Sequence, residues 1–79
     1  MNNLQQYNAI FAEVFGVDTT LLNDSFSKDT VPNWDSVHQL NVIALMEEKF
    51  DLLLDPEDIM ACTSYEEGKK ILQKYNISL

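Results

Sequence analysis

Residues 32–59 read PNWDSVHQLNVIALMEEKFDLLLDPEDI, and most of the architecture follows from how this stretch is parsed. Asp35 and Ser36 are both good helix caps, and Ser36 with Gln39 has the spacing of a capping box. A helix is therefore predicted from 35 or 36 to about Phe50. At about 100° per residue, Val42, Ile43, Met46 and Phe50 share one side and form its predicted core face. Val37, Leu40 and Ala44 fall on the opposite side, together with Asn41, Glu47 and Glu48. A helix that buries one face needs no second apolar stripe. Either the long preceding loop or the next helix covers that stripe, or it is a docking surface for a basic, partly apolar partner.

Three further helices flank this one. Upstream, Leu4, Tyr7, Ile10, Phe11, Val14 and Phe15 repeat at spacings of three and four, which predicts a helix over 3–15. Asn2 or Asn3 caps it, and Gly16 stops it. Downstream, Asp55 is placed as a cap before Pro56, with Glu57 and Asp58 complementing the dipole of a short helix over 56–61. Thr63 or Ser64 then caps a fourth helix that opens with Glu66 and Glu67 and closes with Lys69, Lys70 and Lys74. Its inward stripe is read as Ile71, Leu72 and Tyr75. Residues 17–35 hold no period, and Leu21, Leu22 and Phe26 are the side chains available to pin them to the core. The fold class is all-α: a small four-helix bundle of three longer helices and one short one, with a long ordered loop between the first two.

The chain's 79 residues accommodate a single domain over 1–79. A hydrophobic fraction of 46 % suits a packed core rather than a disordered tail. Thirteen acids against five lysines give a net charge of −8, which argues against nucleic acid and for a partner with a basic surface. No stretch is apolar for long enough to insert in a membrane, and residues 1–10 lack the pattern of a secretory signal, so a cytoplasmic monomer is expected. A lone cysteine, Cys62, excludes an internal disulfide and reads as a small apolar filler. One histidine and one cysteine are too few for a zinc site, and Asp55, Glu57 and Asp58 lack the spacing of a calcium loop, so no metal is expected.

Asp35-Ser36-Val37 at the head of the second helix, followed by Leu40, Ile43, Glu47, Glu48 and Phe50, resembles the acyl carrier protein family, with its aminoacyl and peptidyl carrier relatives. Asp24-Ser25-Phe26 is similar to the family's loop anchor, and the likeness spans essentially the whole chain. The resemblance implies that Ser36 is esterified to 4′-phosphopantetheine, drawn from coenzyme A by a Mg²⁺-dependent phosphopantetheinyl transferase, with Asp35 assisting the metal in that step. It further implies a non-enzymatic carrier, itself a substrate of other enzymes, which holds acyl groups as thioesters. Val37, Leu40, Asn41, Ala44, Glu47 and Glu48 would then meet the basic docking surfaces of loading and processing enzymes. The sequence departs from the pattern at several points: Val37 stands for leucine, His38 and Asn41 for acids, and Asn33-Trp34 for a small residue. These departures leave the carrier role intact and fit a carrier dedicated to a specialised pathway, such as polyketide or peptide assembly, as readily as one of housekeeping fatty acid synthesis. Trp34 is either a lip beside the arm or a loop aromatic packed for order, and His38 reads as a solvated helix-start residue. A second class of function, an unmodified acidic helical module that binds a basic protein, accounts equally well for the charge and the two-sided helix.

Overall fold

The computed structural model describes residues 2–79. Four α-helices follow one another: α1 (Asn3–Phe15), α2 (Ser36–Phe50), α3 (Pro56–Ala61) and α4 (Tyr65–Lys74). A single 3-10 turn, Thr19–Leu21, interrupts the long first connection. Among the described residues there is no strand, only one isolated bridge between Ser27 and Ser64. The all-α expectation holds, as do the predicted spans of α1, α2 and α3.

Local chemistry accounts for the helix ends. Asn2 and Gln5 form a reciprocal capping box that opens α1, and Gly16 closes it in the left-handed region at φ 66°. Ser64 caps α4 by accepting from the Glu67 N–H. At the head of α2 the expected Ser36–Gln39 box is absent. Asp35 is the cap, and Gln39 is drawn away to partners outside its own helix.

α1 packs against α2. The core between and around them holds Tyr7, Ile10, Phe11, Phe15, Val42, Ile43 and Met46, closed by Leu54, Cys62, Tyr65, Ile71 and Leu72. Phe50 and Tyr75 pack at its margin, half-buried. The loop contributes Phe26 and Trp34, which join Phe11 and Phe15 in an aromatic cluster with ring centroids 4.8–6.1 Å apart. Backbone bonds from Lys28 N to Thr63 O and from Tyr65 N to Phe26 O tie the loop to the start of α4. Leu21 corrects the expectation: it is 56 % exposed, because the 3-10 turn points it outward, and Leu22 and Phe26 do the anchoring.

Asp58 is in the first turn of α3 as expected, and it has a second role across space. It is 5 % exposed and receives the Lys74 ammonium at 2.7 Å and the Tyr75 hydroxyl at 2.6 Å. The hydrogen bond from Lys74, then that from Tyr75, holds its carboxyl below the ordinary value of 3.8. A depressed carboxyl stabilises the fold above its ordinary value, and that contribution is lost as the pH falls through the folded-state value. The melting temperature of the wild type should therefore exceed that of Asp58→Asn at pH 7, and the gap should narrow below 3.8. Thermal melts of both proteins across pH check this; a gap constant into acid would remove the ion pair as its cause.

Candidate functional site

The head of α2 is built by its cap. Asp35 Oδ1 accepts from the backbone N–H of His38 at 2.9 Å and from His38 Nδ1 at 2.7 Å. The His38 ring in turn stacks on Phe15, with centroids 5.7 Å apart and planes 18° from parallel. The backbone N–H of His38, then its side chain, holds the Asp35 carboxyl below the ordinary range. His38 is thus a packed partner of the cap rather than a merely solvated residue.

With Asp35 occupying the capping position, Ser36 is relieved of it. Ser36 is the first residue of α2 and is exposed, and among the described residues no hydrogen bond engages its Oγ. It lies on the rim of a groove of about 330 Å³ between α2 and α3, lined by Lys28, Asp35, Ser36, Gln39, Leu40, Ile59 and Met60. Ser36 therefore stands exposed at a helix mouth, where the backbone N–H groups that Asp35 does not take and the positive end of the dipole favour an anion.

Trp34 is 5 % exposed and belongs to the aromatic cluster, so it orders the loop and is not a lip over the groove. Its Nε1–H donates to Gln39 Oε1 at 3.1 Å, while Gln39 Nε2 donates to the Ile59 carbonyl of α3 at 2.9 Å. The sequence placed Gln39 only in a capping box, and its bridge between Trp34 and α3 is the role that was missed. Gln39 lies three and four positions before Val42 and Ile43, on the buried stripe of α2, and a polar side chain placed there was the available signal.

The second stripe of α2 is open to solvent. Val37 is 63 % exposed and Leu40 56 %, and Asn41, Ala44 and Glu48 are exposed as well, so neither loop nor α3 covers it. Met60 of α3 extends it at 76 % exposure. Glu47 does not belong to this rim as expected. It is half-buried, and its Oε2 accepts the Leu54 N–H at 2.9 Å, which fixes the turn after α2.

Cys62 is fully buried, and burial raises its thiol to about 12, so it is neither nucleophile nor ligand. Among the described residues no cluster of three or more His, Cys, Asp or Glu could hold a metal ion, and no helix is long and apolar enough to cross a membrane. In comparisons with known proteins, no family model and no curated protein matches this chain, so the functional reading rests on the residues and geometry around Ser36.

Proposed function

We propose that this chain is an acyl carrier protein, a four-helix bundle whose ordered loop delivers Ser36 to the mouth of α2 for attachment of 4′-phosphopantetheine. The observation that carries the reading is an exposed Ser36, its Oγ without a hydrogen bond among the described residues, beside an Asp35 that has taken over the cap. An ordinary capping serine would accept a helix N–H; this hydroxyl is left to react.

The residues present fit such a group. A phosphodiester on Ser36 Oγ would sit at the positive end of α2, and Lys28 lines the same groove. Leu40, Ile59 and Met60 offer apolar walls to the rest of the arm. In the attachment step, Ser36 Oγ bonds to the phosphopantetheine phosphorus of coenzyme A as the pyrophosphate P–O bond breaks. The adenosine bisphosphate half leaves, and the hydroxyl proton passes to the transferase or solvent. Asp35 Oδ2, the oxygen not engaged by His38, is the atom available to the transferase's Mg²⁺. Once attached, the arm supplies a thiol that holds an acyl group as a thioester. The chain itself catalyses nothing; it presents the cargo, and the Val37–Leu40–Ala44 stripe with Asn41 and Glu48 meets the basic surfaces of loading and processing enzymes. On this reading it works as a cytoplasmic monomer in fatty acid, polyketide or related synthesis, or as an aminoacyl carrier in peptide assembly.

Incubation with coenzyme A, Mg²⁺ and a broad-specificity phosphopantetheinyl transferase should add the mass of one phosphopantetheine to the intact protein. A protein that gains no mass under conditions that modify a control carrier would instead be an unmodified acidic module for a basic partner.

A further inference from the structure

A carried acyl group either sinks among the helices or stays at the surface, and the residues around α3 favour the second. α3 has six residues, too few to hold its place by helix propensity alone, so tertiary bonds fix its position. On the α2 side, Gln39 grips the Ile59 carbonyl and the Trp34 indole N–H together. On the α4 side, Asp58 takes Lys74 and Tyr75, and the Tyr75 hydroxyl accepts the Asp55 N–H at 3.0 Å. The helix is bolted along both flanks. Moving it off α2 would leave the Ile59 carbonyl and one Gln39 amide N–H unpaired in part-buried surroundings, while the Gln39 bond to Trp34 would stay intact. Behind it, Val42, Met46, Cys62 and Leu72 have no exposure, and the aromatic cluster fills the end nearest Ser36, so an inserted chain would overpack a core of stiff rings.

Resting on the carrier reading, we infer that Gln39 bolts the α2–α3 seam shut, so that the Ser36-linked arm lies in the surface groove and its cargo stays in solvent. Cargo handled in this way belongs to the class of short or polar acyl and aminoacyl groups, which need no apolar shelter.

The test loads the wild type from acetyl-coenzyme A and from octanoyl-coenzyme A with the same transferase, then cleaves each thioester with hydroxylamine. Cleavage is followed by intact mass and corrected against the free acyl-pantetheines. The two corrected rates should agree within about twofold, and emission from Trp34, the sole tryptophan and a direct partner of Gln39, should be the same in both forms. Octanoyl cleavage slowed about fivefold or more, the weight of one hydrogen bond, overturns the inference while leaving the carrier reading intact. Failure to load either group overturns the carrier reading and the inference with it. In Gln39→Ala the seam is unbolted, and octanoyl cleavage should become about threefold or more slower than acetyl cleavage. An unchanged ratio in a folded Gln39→Ala protein overturns the role given to Gln39, and if that variant does not fold, the wild-type ratio decides alone.

Discussion

Ser36→Ala should lose phosphopantetheine attachment completely and melt within a few degrees of the wild type. Ser36 is exposed at the first position of α2 and its Oγ holds no partner among the described residues, so truncation removes no bond from the fold. Asp35→Ala should do the reverse in stability. It removes the acceptor of the His38 N–H and the brace of the His38 ring, and the loss of an N-cap in a domain of this size lowers the melting temperature by about 5 °C. Intact mass after incubation with coenzyme A and transferase, together with thermal melts of both variants, measures the separation. If Ser36→Ala melted as low as Asp35→Ala, the serine would be an ordinary structural residue and the tether reading would fall.

Gly68→Ala should be among the most damaging single exchanges in the molecule. Gly68 is buried in the interior of α4, where alanine normally stabilises a helix by about 1 kcal/mol. Here a β-carbon would drive into the Tyr7 hydroxyl and stand 3.1 Å from Tyr7 Cζ. Tyr7 cannot retreat: it has no exposure, it packs on Phe11 and Tyr65, and its hydroxyl donates to the Tyr65 carbonyl at 2.5 Å. Overpacking and the strained hydrogen bond outweigh the gain in propensity, for a net loss of about 3 kcal/mol and a fall of about 15 °C in melting temperature. Adding Tyr7→Phe removes the atom that is struck hardest, so the double variant should melt above Gly68→Ala alone. The ring carbon that remains close keeps that recovery partial. A Gly68→Ala protein that melts with the wild type would show that α4 and α1 can part at no cost.

The helices were readable because their signals are local. Apolar spacing gave the stripes, while Asn2, Gly16, Asp55 before Pro56, and Ser64 marked ends through bonds or dihedrals within a few residues. The second apolar stripe of α2 was readable for the same reason, since one turn of arithmetic places Val37, Leu40 and Ala44 together, but its exposure was not, because covering chain would come from elsewhere in the fold. What the sequence hid depends on chain folded back from elsewhere. Glu47 belongs to the turn at Leu54, Asp58 to Lys74 and Tyr75 on α4, and Gln39 to Ile59 and Trp34. Each of these is a polar side chain satisfied across space, and no periodicity reports such a partner. Leu21 was misread for a related reason: a 3-10 turn redirects side chains that an irregular segment leaves unassigned. The choice between Asp35 and Ser36 as cap could not be made from residue type, because both are favoured, and it is this choice that frees the hydroxyl.

The burial of Cys62 bears on how the protein can be handled at the bench. A thiol kept protonated to about 12 and sealed from solvent is invisible to maleimide dyes at neutral pH. The folded chain therefore offers a blank background, on which any sulfhydryl-directed label that does attach marks a sulfur brought in by modification. Treatment with denaturant would unmask the native cysteine as a second, separately countable label.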